Sequence, residues 1–590
     1  MPPHWLYHNG DAHHPIYHRY ISLNFEICPP PHQMTTSSSL QAKQSEKIVA
    51  PYGSWKSPIS ADVVSGASKN LGGTAVDSLG RLIWLESRPS ESGRDVLVRE
   101  PERPEDEPVD ITPKDYAVRT VAQEYGGGAF SIYLWIATII TYDQYGIMFI
   151  SRREIFKRIC VAGSDPSMKE SPVEPKWSSK GELFFITDRK SGYWNLYKWV
   201  ISVYSLDAEF SKPLWVFGMN SYEFIQSHES KNIIACSYRQ KGRSYLGILD
   251  DAQGSLSLLN TPFTDIDNIV RLETFFFVVK FSYLSVQTLG INCLYVEGAS
   301  EVTLDDHKMK AVDFRIIWSS SPDCLKYQSY FSLPEFIEFP TEVPGQTAFA
   351  YFYPPSNPNY QAPQGEKPPL LLKSHGGPTS ESHGILNLSI QYLTSRGWAY
   401  VDVNYGGSTG YGREYRERLL NKWGIVDVND CCSCARYLVD SGKVDGERLC
   451  ITGGSAGGYT TLAALAFRDT FKAGSSLYGV ADLNMLRAET HKFESHDLDN
   501  LVGSEKDFYD RSPINFVDKF SCPIILFQGL EDKEKGLPVA HVEYEGEQHG
   551  FRKAENIKFT LEQQMVFFAR LVGHFKVADE INPIKIDNFD

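Results

Sequence analysis

The stretch Arg448-Leu-Cys-Ile-Thr-Gly-Gly-Ser-Ala-Gly-Gly-Tyr459 constrains the fold more than any other. Leu449–Thr452 is a short apolar, β-branched run and reads as a buried strand. Gly453 to Gly457 follows at once. Tyr459–Arg468 then has good helix formers, with Leu462, Leu465 and Phe467 at helical spacing. Strand, tight turn and helix form the setting in which a Gly-x-Ser-x-Gly pentapeptide lifts its serine hydroxyl out of a sheet. The glycines have a steric role, because side chains two residues either side of Ser455 would strike the neighbouring strand and helix. The helix N-terminus behind Ser455 favours developing negative charge. A plain Gly-rich turn would satisfy the pentapeptide alone; the flanking strand and helix favour the nucleophile reading.

From Ala348 onward, strands alternate with helices. The strands are Ala348–Tyr353, Pro369–Ser374, Ala399–Asn404, the run before Ser455, Ala473–Tyr478, Pro523–Gln528 and Val539–Tyr544. The helices are Ser389–Ser395, Val426–Ser441, the run after Ser455 and Asn556–Phe575. This alternation implies a mostly parallel, doubly wound sheet with chemistry at the carboxyl ends of its strands. Between Pro51 and Pro340 the texture is different. A turn and strand at Leu79–Ser87, then turn-punctuated strand pairs at Trp177–Tyr197 and His228–Leu249, suggest propeller blades. A β-sandwich is the alternative. Two apolar runs without clear turn punctuation, Ser131–Ile150 and Phe275–Ser285, interrupt the repeat and leave the number of blades open. A chain of 590 residues is too long for one core. The expected division is a tail or targeting segment at 1–48, a β-propeller-like domain at 49–340, incomplete in places, and an α/β domain at 341–590.

Composition narrows the function classes. A net charge of −15 argues against nucleic-acid binding. No run reaches the ~18 apolar residues of a membrane span; Ser131–Ile150 comes nearest but is broken by Asp143, Gln144 and Gly146. Ten scattered cysteines suit a reducing, cytoplasmic setting. A plastid or other organelle is the alternative if residues 1–48 are a transit peptide, although Arg19 is their only arginine. Cys431-Cys-Ser-Cys434 lies within a helical run and reads as buried small residues rather than metal ligands.

A serine hydroxyl needs a base to take its proton, and the base needs an orienting carboxylate. In this kind of sheet the chain order is serine, acid, histidine. Among His491, His496, His541 and His549, the first two sit in a charged stretch and His541 lies within a strand. His549 follows a strand in a loop with Gly550 and is the expected base. Neutral imidazole is the accepting form, so activity should fall on acidification. Asp532 follows the strand ending at Gln528 and is the expected acid. Glu531 is one residue off, and Asp510 and Asp518 read as surface groups. The oxyanion would be met by the amide of Ala456 and by that of Gly377 in His375-Gly-Gly-Pro378, which follows an early strand. His375 precedes the serine and is read as shaping this loop. Asn404–Arg416 lacks phosphate-cradle spacing and is read as walling the pocket.

Together, His375-Gly-Gly-Pro378, Asn404–Gly412, Gly453–Tyr459, Phe527–Lys533 and Gly546–Phe551 resemble the prolyl oligopeptidase family of serine peptidases, in its acylaminoacyl-peptidase and dipeptidyl-aminopeptidase-like branch. The resemblance implies an α/β-hydrolase domain gated by a propeller and hydrolysis of short peptides through an acyl-enzyme on Ser455. It implies no metal or organic cofactor, and it leaves a homo-oligomer open. One departure stands out. Only Leu530–Leu537 separates the acid's strand from the next, a reach of ~26 Å, where a parallel crossover normally takes a dozen residues. A non-catalytic peptide-binding relative and an esterase-like hydrolase are the competing readings.

Overall fold

Short apolar runs separated by helices in the second half of the chain make one eight-stranded mixed sheet. Its strands are β1 (Glu335–Pro340), β2 (Thr347–Tyr353), β3 (Leu370–Ser374), β4 (Ala399–Asn404), β5 (Leu449–Gly454), β6 (Ala473–Leu477), β7 (Ile524–Gly529) and β8 (Ala540–Tyr544). They lie in the order β1-β2-β4-β3-β5-β6-β7-β8. β1 and β2 are antiparallel, as are β2 and β4. All later pairings are parallel. In this computed structural model the described residues are 46–590, excluding 67–68, 78, 104–105, 121–124, 134–135, 140–161, 163–166, 200, 228–229, 262, 274–275, 283–297, 305–310, 321, 492–493, 495, 530–539, 588 and 590.

The two-residue period of the strands sorts side chains to opposite faces. Leu370, Leu372, Val401, Val403, Leu449 and Ile451 pack with α2 (Val426–Asp440) and α3 (Ala456–Phe467). On the other face Leu371, Tyr400, Cys450, Ile525 and Phe527 pack with α1 (Leu388–Thr394) and α4 (Ala554–Phe568). Cys431, Cys432 and Cys434 are buried on α2, in keeping with their reading as small core residues. α4 stops short of the expected Phe575: a wider turn at Ala569–Gly573 follows it, and left-handed His574 ends the segment.

Register settles the short connection before β8. Ile525 pairs with Ala540 and Gly529 with Tyr544. The chain must therefore return over about four residues of strand, roughly 13 Å. The residues between Gly529 and Ala540 can span well over that when extended.

Among the described residues, the first half holds four four-stranded sheets, each of consecutive antiparallel strands. Their outer strands are Asn70–Val76 and Val109–Asp110, Val173–Trp177 and Ile201–Ser202, Tyr222–Ser227 and Ser255–Leu259, and Asp265–Glu273 and Ala311–Ser319. Adjacent sheets bury one another's faces. Phe184 and Ile186 of the second meet Ile234 and Leu249 of the third. Ile233, Leu246 and Ile248 of the third meet Ile266 and Val302 of the fourth. Asn268 of the fourth sheet donates to Thr74 Oγ1 of the first at 3.1 Å.

Three sequence expectations need correction. In the run Phe275–Ser285, Phe276–Ser282 does not interrupt the pattern: it is an interior strand of the fourth sheet, paired on both sides, while 275 and 283–285 lie outside the described residues. It lacked turn punctuation because a continuous apolar run is how such a strand reads. Within Ser131–Ile150, Phe130–Tyr133 and Ile136–Ile139 form a hairpin, and residues 140–150 lie outside the described residues. Glu335–Pro340 belongs to the α/β sheet, ahead of the boundary at 341, and Ile48–Val49 pairs with Tyr360–Gln361.

Candidate active site

Ser455 sits where β5 turns into α3, at φ 57 and ψ −124. A non-glycine residue at such angles is strained and persists only when its surroundings hold it. Two backbone bonds do so. Its N–H donates to the Leu477 carbonyl on β6, and its carbonyl accepts from Tyr459 N–H, both at 3.0 Å. The glycines are needed for close approach. A Cβ on Gly457 would fall 2.1 Å from the Ser374 carbonyl oxygen, and one on Gly453 would fall 2.3 Å from the Gly457 carbonyl carbon. α3 begins at Ala456, earlier than the expected Tyr459. The amide of Ala456 therefore belongs to the first turn, which has no intrahelical acceptor. Thr460 anchors that turn by donating to buried Asp427 at 2.6 Å.

His549 Nε2 lies 2.7 Å from Ser455 Oγ. Its loop is held from two directions. The buried carboxylate of Glu547 accepts from the amides of Arg552 and Lys553 and from the Asn556 side chain, at 2.8 to 3.0 Å. Glu547 thus ties the histidine loop to the residues leading into α4. Tyr478 meets the His549 ring edge-on, with centroids 5.2 Å apart. Asp532 and Glu531 lie outside the described residues. His541 stays on β8 near Glu543, His491 sits beside Glu494 and Tyr125, and His496 precedes the helix Asp497–Val502. Asp510 and Asp518 are exposed.

The loop after β3 passes over the serine. A Cβ on Gly376 would be 3.6 Å from Ser455 Cβ, and Gly377 follows at φ 119. His375 is buried. Its Nδ1 lies 2.8 Å from the Gly376 carbonyl oxygen and its Nε2 2.7 Å from Ser408 Oγ, and its ring stacks on Tyr405. Burial pulls its pKa down to about 4, so it is neutral and shapes the loop. The Gly-rich segment Asn404–Arg416 underpins this loop: Tyr405 donates to the Pro378 carbonyl at 3.0 Å and Thr409 N–H to that of Ser380 at 2.9 Å.

The β-rich half reaches both loops. Trp215 Nε1 donates to the Thr379 carbonyl at 3.2 Å, and Arg119 donates to Gln548 at 3.2 Å. Arg552 donates to Asp95 at 2.7 Å. Sequence reasoning missed Glu547, Tyr478 and Trp215. Glu547 had one signal, a carboxylate two residues before the expected base and just ahead of a helix. Among the described residues no helix is long and apolar enough to cross a membrane.

Residues 386–575 match the model of the prolyl oligopeptidase family. Dipeptidyl aminopeptidase BIII of Pseudoxanthomonas mexicana is 29% identical over 231 residues, 35% of this chain and 33% of that protein. The acylamino-acid-releasing enzyme of Arabidopsis thaliana is 28% identical over 212 residues, 31% of this chain and 28% of that protein. The chain thus spans about a third of the length of the curated relatives it matches. A solved structure of a puromycin-hydrolyzing peptidase of Mycobacterium tuberculosis is 27% identical with a TM-score of 0.78, over 91% of this chain and 100% of that chain.

Proposed function

We propose, from the premise that residues 386–575 are a prolyl oligopeptidase family domain, that this chain is a serine peptidase acting on short peptides. The observation that carries the reading is the 2.7 Å approach of His549 Nε2 to Ser455 Oγ at a strained strand-to-helix turn. In this mechanism His549 takes the hydroxyl proton as Ser455 attacks the scissile carbonyl, then returns it to the leaving amine. Asp532 is the orienting carboxylate. The amides of Ala456 and Gly377 receive the oxyanion. The acyl-enzyme on Ser455 is then hydrolysed by water with the same base. No step calls for a metal or organic cofactor.

The four stacked sheets are read as blades of a propeller, supported by the bond from Asn268 to Thr74 between the last and the first. Small esters need no such gate, so the contacts of this part with both site loops favour peptides over an esterase role. Similarity to a dipeptidyl aminopeptidase, an acylamino-acid-releasing enzyme and a puromycin-hydrolyzing peptidase points to substrates cleaved near their amino end. A cytoplasmic setting belongs to the same proposal, supported by the free thiols of Cys236, Cys431, Cys432, Cys434, Cys450 and Cys522. A fluorophosphonate probe tests the reading. The full chain should be labelled, Ser455→Ala should not, and free-amine and acylated chromogenic peptides should then be turned over unequally. Folded protein that resists labelling would leave the non-catalytic reading instead.

A further inference from the structure

The loop His375–His383 carries the second oxyanion donor, and its residues are pinned alternately from two sides. The α/β part holds Pro378 through Tyr405 at 3.0 Å, Ser380 through Thr409 N–H at 2.9 Å, and Ser382 through Asp402 and Asn404 at 2.6 and 2.7 Å. The β-rich part holds the residues between. Trp215 Nε1 donates to the Thr379 carbonyl at 3.2 Å. Arg239 Nε donates to Glu381 Oε2 at 3.0 Å. Asp265 Oδ2 lies 2.8 Å from His383 Nδ1 and is itself paired with Arg239 at 2.6 Å. The two sets of bonds alternate residue by residue from Pro378 to His383, so both parts hold the loop.

Arg239 is 8% exposed. A buried guanidinium has no water to replace a lost partner, so its fork fixes the carboxylates it meets. The cavity beside it is about 30 Å³ and is lined by Glu209, Lys212, Arg239, Asp265 and His383 among others.

We propose that Arg239 and Trp215 are positioning residues for the oxyanion hole: they hold the loop from outside the α/β part so that the Gly377 amide meets the developing oxyanion. This rests on the peptidase reading above. Both act through the loop. Catalytic geometry is unforgiving, and a shift of about 1 Å can cost roughly 100-fold.

The test uses the full chain with Trp215→Phe, which keeps a ring and removes the N–H, and with Arg239→Lys and Arg239→Gln. Lys169→Gln is the control, because Lys169 pairs with Glu417 across the same two parts at an exposed site. Turnover of a chromogenic peptide should fall about 10-fold in Trp215→Phe and up to about 100-fold in Arg239→Gln, with KM nearly constant. Arg239→Lys should recover part of the loss. The affinity of a peptide aldehyde, whose adduct carries the oxyanion, should fall by the same factor as kcat/KM. Lys169→Gln should behave as wild type. A variant that is merely unstable would lower the melting temperature without this matching loss. If Arg239→Gln does not fold, Trp215→Phe and Arg239→Lys decide. Unchanged kcat in either of those, with an active wild type, overturns the positioning proposal alone. A wild type that is neither labelled by fluorophosphonate nor active overturns the peptidase reading and this proposal together.

Discussion

Gly529 carries no side chain because another loop's backbone fills the place of one. A Cβ there would fall 2.5 Å from the Glu547 carbonyl oxygen and 2.9 Å from that of Gln548, at the end of β7 and just ahead of His549. Neither carbonyl can move without moving the imidazole, since Glu547 is also tied to the start of α4. Gly529→Ala should therefore lengthen the 2.7 Å approach of His549 to Ser455. Fluorophosphonate labelling should slow by about 10- to 100-fold. Overpacking should also lower stability by about 1–3 kcal/mol. Gly66, with nothing within 4 Å of its Cβ position, is the contrast. Gly66→Ala lies at the end of a short helix and should change stability by less than about 1 kcal/mol and labelling not at all. Labelling by Gly529→Ala at the wild-type rate would show that the histidine loop is held by something other than this contact.

At the scale of elements, the loop between β3 and α1 is sensitive to acid through His375. Burial holds its pKa near 4, against 6.5 for a free imidazole. As pH falls from 6.5 towards 4, the unfolded chain takes up a proton that the folded chain refuses. The stability contributed by neutral His375 is thus present above pH 6.5 and lost on acidification, by about 3 kcal/mol in all. Urea denaturation at a series of pH values should show a smaller acid loss in His375→Asn; parallel curves would remove His375 from the account. That His375 serves the loop was legible in the sequence, because it follows a strand and precedes the serine. The strands and helices around Ser455 were legible too, since each is a short apolar run with turn or cap residues at its ends. The start of α3 was placed too late because glycines at 457 and 458 hide a helix that packing enforces. Glu547 was harder to read: it acts on backbone amides, and its only signal is its place two residues before the base. Thr379 and Glu381, the loop partners of Trp215 and Arg239, lie more than a hundred residues away, so only the fold reveals them.

Among the described residues, buried charge joins the β-rich part to the α/β part. Asp188, fully buried, accepts from Arg413 at 3.0 Å and from Arg416 at 2.8 Å. Glu209, 1% exposed, accepts from the amides of Trp194 and Gly412 at 2.6 and 3.1 Å, while Arg416 stands 3.8 Å away. These bonds do not offset the loss of water, and burial pushes the Glu209 carboxyl up to about 7 from 4.5. The sign is opposite to that of His375. Folded protein holds the proton that unfolded protein releases, so stability is full below pH 4.5 and is lost as pH rises through 7. The loss amounts to about 3 kcal/mol. Glu209→Gln keeps the shape and removes the titration. Its unfolding free energy, read from urea curves between pH 4.5 and 8, should gain on wild type as pH rises and level off above 7. Because Gly412 lies in the segment that underpins the oxyanion loop, wild-type kcat should also soften above pH 7 more than that of Glu209→Gln. A wild type and variant that differ by a constant amount across this range would mean that Glu209 is ionised in the folded protein throughout, with Arg416 as its effective counter-charge.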